Sequence, residues 1–255
     1  MNPDGPGHRA RIGLLTPNDD AVPESEFWTM APEGVSVHVG RVLLVDTRTF
    51  ADPPHPDDAT ALLAALPMQA IVFAFTTTGY ILGPDGERAL KDRLERRSNG
   101  IPVLLQCLAT VAAFRALGAR RIALIHPPWF ADDQQQLGID YFRNQGFDVV
   151  YANQMRLRGM SVAQATDPLR EFTEVYPAEL YAWARTQVPP EAEAVLFSGN
   201  GFRAIGVIAA LEEDLGRPVV TANQVAFWYA LRQAGVHAPV TGYGRLFSTL
   251  VSEGR

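Results

Sequence analysis

Cysteine is almost missing from this 255-residue chain, which holds a single one, Cys107. One thiol excludes a disulfide framework and any zinc site built on several thiolates, and it excludes every mechanism that needs two cysteines facing one substrate. Long apolar runs are missing as well. No stretch approaches the roughly 20 residues that cross a bilayer. The opening segment is polar and rich in glycine and proline and lacks a signal peptide's apolar centre, so residues 1–10 read as a disordered lead-in. Positive charge is in deficit: 22 Lys and Arg stand against 28 Asp and Glu, a net charge of −6, which argues against nucleic-acid and acidic-membrane partners. There is no GxGxxG loop, P-loop, GxSxG elbow or HExxH helix. The five histidines (His8, His38, His55, His126 and His237) show no metal-ligand spacing, so neither a metal nor a cofactor is expected. These absences describe a soluble, cytoplasmic protein.

What is present is a repeat. Arg11-Ile-Gly-Leu-Leu-Thr-Pro17 returns as Arg121-Ile-Ala-Leu-Ile-His-Pro127, and Ala70-Ile-Val-Phe-Ala74 returns as Ala194-Val-Leu-Phe-Ser198. Gly100-Ile-Pro-Val103 returns as Gly216-Arg-Pro-Val219. The order is kept and only the spacing between matches changes, as expected of a duplicated unit. The short apolar runs Ile12–Leu15, Ala70–Phe75, Val103–Leu105, Ile122–Ile125, Ala194–Phe197 and Val219–Thr221 read as strands buried on both faces. Val35–Leu44 and its counterpart Asp148–Tyr151 add a second strand to each unit. Helical spacing lies between them, over Asp57–Leu66, Arg88–Arg97, Thr110–Leu117, Asp133–Asn144, Pro177–Gln187, Ala204–Leu215 and Ala226–Gln233. Strands alternating with helices predict α/β architecture: two pseudo-symmetric lobes, each a parallel four-stranded sheet flanked by helices. The first lobe takes 11–118 plus 222–250 and the second 119–221. Phe27, Trp28, Phe227 and Trp228 fall at helical spacing and read as core.

In open parallel sheets, ligands sit beyond the carboxyl ends of the strands. The residues there are Thr16–Asp20, Thr76–Tyr80, Gln106-Cys107, His126–Trp129, Ser198–Gly201 and Ala222–Gln224, rich in hydroxyls, amides and glycines and poor in basic groups. Hydroxyls and free N–H groups at helix starts suit a carboxylate or an enolate-like oxyanion. The competing explanation is that Thr, Ser and Asn here only cap helices.

The chain also resembles a known family. Pro23-Glu-Ser-Glu-Phe-Trp-Thr-Met-Ala-Pro-Glu-Gly-Val35, Ala226-Phe-Trp228 and Gly242-Tyr-Gly-Arg-Leu-Phe247 are similar to segments of the maleate cis–trans isomerase and arylmalonate decarboxylase branch of the aspartate/glutamate racemase superfamily, and the likeness runs from Arg11 to Phe247. The resemblance implies an Asp/Glu racemase-like fold and a small carboxylate substrate, with a homodimer a common state of such proteins. Members usually set one cysteine per lobe across the cleft, and the decarboxylases keep only the second. Here those positions hold Phe75 and Gly199, so the chain lacks both catalytic cysteines. What the resemblance carries over is binding: Thr76 and Thr77 match a hydroxyl pair in an anion nest, Asn200 and Gly201 supply its amides, and Pro17 matches a first-strand proline. Asp20, with Asn18 two residues earlier, stands where the isomerases carry a carboxylate-binding asparagine, and Trp129 stands near a tyrosine that donates to the anion.

Two-base racemisation fails, because Phe75 and Gly199 cannot titrate. Decarboxylation needs a desolvated leaving carboxylate and a stabilised enolate, neither of which requires a thiol. The expectation is a cofactor-independent lyase or isomerase acting on a small carboxylic acid, with Pro17, Asn18, Phe75, Thr76, Thr77, Trp129, Ser198, Gly199, Asn200 and Gly201 binding it. Phe73, Phe75, Phe197 and Trp129 would form an apolar wall. His126 or Tyr80 would supply the proton, with Cys107 or water as substitutes. Two alternatives stand beside it: a non-catalytic carboxylate-binding or regulatory homologue, and a hydratase or C–C lyase using Asp19 or Asp20 as base.

Overall fold

A computed structural model describes residues 5–155 and 175–252. The chain forms β1 (Ala10–Pro17), α1 (Val22–Met30), β2 (Val35–Val42), α2 (His55–Leu63), β3 (Ala70–Phe73), α3 (Thr76–Arg97), β4 (Val103–Leu105) and α4 (Gln106–Ala116). The second half follows with β5 (Arg121–His126), α5 (Asp132–Asn144), β6 (Asp148–Gln154), α6 (Pro177–Gln187), β7 (Ala194–Phe197), a 3-10 turn (Ile205–Val207), α7 (Ile208–Leu215), β8 (Val219–Thr221), α8 (Ala222–Gln233) and α9 (Ser248–Ser252). All pairings are parallel and give two four-stranded sheets, β2-β1-β3-β4 and β6-β5-β7-β8. The continuous Val, Ile and Leu runs form central strands because helices cover both faces.

The repeat extends to individual hydrogen bonds. Ala74 N–H donates to Leu15 O, and Ser198 N–H donates to Ile125 O, both at 2.9 Å. Glu95 Oε1 accepts from Val103 N–H and Glu212 Oε1 from Val219 N–H, both at 3.0 Å. The helices that leave the fourth strands reach across to the other half: Phe114 of α4 packs on Phe142 and Phe147 of the second half at 5.9 and 5.4 Å. Phe227 of α8 packs on Phe27 of α1 at 5.0 Å. This exchange builds one core from residues of both sheets, and a smaller cluster, including Phe50, Phe73 and Leu94, covers one face of the first sheet.

Some sequence expectations change. Helices start earlier than their apolar spacing shows. α3 begins at Thr76 rather than Arg88, α4 at Gln106 and α8 at Ala222, because the polar residues after each strand are themselves first helical turns. α3 bends at Gly83, whose φ of 67° is open to glycine, just before Pro84. α1, foreseen only as helical spacing of Phe27 and Trp28, is a full helix; Phe27 and Met30 face inward, while Trp28 stands 49% exposed and is not core. Of the expected lead-in, residues 1–4 lie outside the described residues, whereas His8 closes a turn on Gly5 and Ala10 already belongs to β1. Among the described residues, no helix is long and apolar enough to cross a membrane.

Candidate active site

The third strands of the two sheets end facing each other. Directly after β3, Phe75 is the extended residue preceding α3 and uses no side-chain cap, so Thr76 is the first residue inside the helix rather than its cap. Directly after β7, Ser198-Gly199-Asn200-Gly201 turns, with Phe202 N–H donating to Gly199 O at 3.2 Å. The two segments meet through Asn200: its Oδ1 accepts from both the Thr76 N–H and the Thr76 hydroxyl, each at 2.9 Å. Its Nδ2 donates to Gln106 Oε1 at 2.8 Å and to Asn223 Oδ1 at 2.9 Å. Gln106 donates to Ala222 O at 2.8 Å. Asn223 donates to the Asn200 carbonyl at 2.8 Å and to Glu26 Oε2 at 2.7 Å, and Glu26 Oε1 accepts from the Ala204 and Ile205 amides. One buried network therefore joins the first residues after β3, β4, β7 and β8 to α1.

Of the expected nest, the two donors of Thr76 converge on a single oxygen, and that oxygen belongs to the protein's own Asn200. The hydroxyl of Thr77, next to it and buried, makes no hydrogen bond among the described residues. Gly201 is buried in the same turn. Gly199 has φ +91°, and a Cβ there would lie 2.9 Å from Pro127 Cγ. The backbone therefore disfavours any side chain at Gly199.

Other expected site residues lie elsewhere. Asn18 is exposed and its Oδ1 accepts from Leu44 N–H at 2.7 Å, so it ties the ends of β1 and β2 together. Pro17 is next to it, its carbonyl accepting from Arg41. Asp20 lies two residues before α1 and accepts from its first amide, Val22 N–H, at 3.0 Å, and burial raises its carboxyl to about 7 despite that bond. The aromatic wall divides in two. Phe73 and Phe75 turn to Phe50, at 5.4 and 4.3 Å, on the first sheet. Phe197 and the half-buried Trp129 instead meet Phe202, at 5.8 and 6.1 Å, on the second. Each side chain follows its own sheet's packing, so the four make no common surface.

His126 and Tyr80, the expected proton donors, do come together, but inside the contact between α3 and α5. His126 is 0% exposed and Tyr80 3%, with ring centroids 6.3 Å apart. His126 Nδ1 and Ser198 Oγ are hydrogen-bonded at 2.7 Å, while His126 Nε2 and the Tyr80 hydroxyl have no hydrogen-bond partner among the described residues. Burial pulls His126 down to about 4, so it is neutral near pH 7, and burial pushes the Tyr80 phenol well above its ordinary range. Neither is poised as an acid open to the cleft.

Sequence reasoning missed two neighbours of this pair, Glu87 and Tyr141. Glu87, buried further along α3, accepts from Cys107 N–H at 3.1 Å and from the Tyr141 hydroxyl, and burial raises it to about 7. Cys107 Sγ rests on Thr76 O at 3.5 Å, and burial raises the thiol further, so it is an inert core group. Glu26 stands out in the sequence only as part of the Pro23–Val35 segment; a carboxyl pushed to about 7 by burial was not foreseeable from local pattern. No group of acids, histidines and cysteine suited to a metal occurs among the described residues.

Comparison with known proteins gives a consistent family. The arylmalonate decarboxylase family model matches residues 55–247. An arylmalonate decarboxylase from Bordetella bronchiseptica is 27% identical over 153 residues, 60% of this chain and 60% of that protein, so the match spans less than two thirds of that relative. A maleate isomerase from Pseudomonas putida is 22% identical over 253 residues, covering 93% of this chain and 97% of the relative. The crystal structure of the maleate isomerase Iso from Pseudomonas putida S16 superposes with a TM-score of 0.83 at 20% identity, over 94% of this chain and 99% of that one, and shares the two-lobed fold.

Proposed function

Because the chain belongs to the arylmalonate decarboxylase family, we propose that it is a cofactor-independent lyase or isomerase that acts on a small carboxylic acid through an enolate-type intermediate, with decarboxylation of a malonate as the leading reaction. One observation carries this reading. The N–H and hydroxyl of Thr76 point at one oxygen, Asn200 Oδ1, at the start of a helix. A carboxylate or enediolate oxygen that displaces the amide oxygen gains two aligned donors plus the free hydroxyl of Thr77, and its negative charge is favoured at the α3 N-terminus.

The step is then short. The bond between the α-carbon and one carboxylate breaks, CO2 leaves, and the electron pair passes into the retained carboxylate as an enediolate held by Thr76 and Thr77. Phe75 and Gly199 carry no proton, and His126, Tyr80 and Cys107 are sealed in the interior. Water therefore protonates the α-carbon, leaving hydroxide, and the product of an α-substituted prochiral malonate is racemic. The test is CO2 release from a panel of malonates, followed by chiral analysis. Turnover to racemic product, abolished in Thr76→Ala/Thr77→Ala with an unchanged circular dichroism spectrum, supports the assignment. An enantiopure product removes water as the proton source, and full activity in the double variant removes the nest.

The closed hydrogen bonding of Asn200 favours one second reading, a carboxylate-binding or regulatory homologue without turnover. Thermal stabilisation by malonates with no CO2 released selects it.

A further inference from the structure

Two cavities have linings that correspond in part by the duplication. One, of about 250 Å³, lies between α3 and the start of α5 and includes Ile81 and Ala131. The other, of about 520 Å³, lies between α1 and the turn after β7 and includes Ala21 and Ile205. Ala21 and Ala131 keep the offset of the first repeated strand, and Ile81 and Ile205 keep that of the third. Both cavities carry an arginine, but the arginines are used differently. In the smaller, Arg48 is ion-paired to Asp133 at 2.6 Å. In the larger, Arg203 is exposed and makes no ion pair or hydrogen bond among the described residues.

The larger cavity has the volume of ordinary small-molecule sites, roughly 300–1,000 Å³. Val22, Pro177 and Ile205 give it apolar walls, and Ser25 adds a hydroxyl. It also contains two acids, which have to be weighed against Arg203. Glu26 is already covered by the Ala204 and Ile205 amides and the Asn223 side chain, so its charge is answered within the protein. Asp19 is exposed, where water and salt screen it. Asp19 and Arg203 are both exposed and make no ion pair or hydrogen bond among the described residues, and Arg203 is the cavity's one cation.

We propose that this cavity is a second ligand site, distinct from the nest, which takes a small organic acid with an apolar body whose carboxylate pairs with Arg203. The guanidinium receives the carboxylate in its planar fork, while the body displaces water from the apolar wall. The floor of the site is Glu26, which reaches Thr76 through Asn223 and Asn200. Three side chains therefore separate the two sites and also connect them. This site extends beyond the proposed reaction, since its ligand need not be turned over.

Titration calorimetry with phenylacetate tests the site on the full chain, whatever the outcome of the malonate assay. Expected is one phenylacetate bound per chain, with affinity at least about tenfold weaker in Arg203→Ala, the loss of one charge-assisted pair, and preserved in Thr76→Ala/Thr77→Ala. Because Arg203 makes no polar contact within the described protein, the urea midpoint of Arg203→Ala should equal that of the parent. Four results overturn the proposal: no phenylacetate binding to the parent chain; Arg203→Ala binding within about twofold of it; binding lost in the threonine variant, which would place the acid in the nest; or tighter binding of phenethylamine, which would make the acids the determinants. None of these bears on CO2 release, so failure here and failure of the proposed function remain distinguishable.

Discussion

Replacing Asn200 with alanine removes four hydrogen bonds at once, and the cost follows from what each partner can do afterwards. The Thr76 N–H lies in the first turn of α3, where no carbonyl of its own helix can accept it, so it is stranded in a residue 4% exposed. A buried donor left without a partner costs about 1–3 kcal/mol. Gln106 and Asn223 each lose a donor at their oxygens but keep their own donations, to Ala222 O and to Glu26 and the Asn200 carbonyl. That adds about 1 kcal/mol. Asn200→Ala should therefore destabilise the protein by about 3 kcal/mol, read as the shift in urea midpoint at unchanged slope. Thr76→Ala removes only the hydroxyl and should cost about 1 kcal/mol. The double variant should fall short of the sum, because both changes remove the same bond. Asn200→Asp keeps an acceptor for Thr76 but turns an oxygen toward two other oxygens. It should be destabilised at pH 7 and recover on acidification as the carboxyl gains a proton. An Asn200→Ala loss below about 1 kcal/mol, or an Asp variant as stable as the parent at pH 7, would refute the reading of this network as the junction between the halves.

Two further outcomes follow. Asp20, Glu26 and Glu87 are raised by burial to about 7, above their unfolded values, so between about pH 4.5 and 7 the folded state holds their protons and stability falls as pH rises. His126, lowered to about 4, works in the opposite direction between about 4 and 6.5, leaving a net uptake of about two protons on folding near pH 5.5. Glu87→Gln should lower that uptake by about one proton while keeping the fold, since the Tyr141 hydroxyl can reverse and accept from the new amide; unfolding free energy measured against pH reads it, and an unchanged slope contradicts the assignment. Gly199→Cys places a side chain at φ +91° and against Pro127 and should lower stability by about 2 kcal/mol, read as a shift in urea midpoint; a midpoint equal to the parent's would refute the backbone argument.

The strands were legible because a strand buried on both faces must be continuously apolar. Ala70–Phe73 and Ala194–Phe197 could hardly be anything else, and their repetition in order carried the two-lobed architecture with them. Helix starts were less legible: Thr76, Gln106 and Ala222 are polar or small first-turn residues, and apolar periodicity begins only further along. The count of one cysteine likewise settled by sequence alone that no pair of thiols lies within the chain.

Tertiary structure decided how the candidate residues are used. Asn200 and Thr76 are 124 positions apart, and nothing local says that one side chain's oxygen occupies the other's donors. His126 and Tyr80 follow strands as cleft residues would, yet the packing of α3 on α5 seals them and holds the imidazole neutral. Phe75 follows Phe50 rather than Trp129, and Arg48 finds its partner, Asp133, in the other half of the chain. Periodicity and residue chemistry are properties of short segments and can be read directly. Partnership, burial and the resulting proton affinities depend on which distant segments the fold brings together, and these determined what the strand-end residues can do.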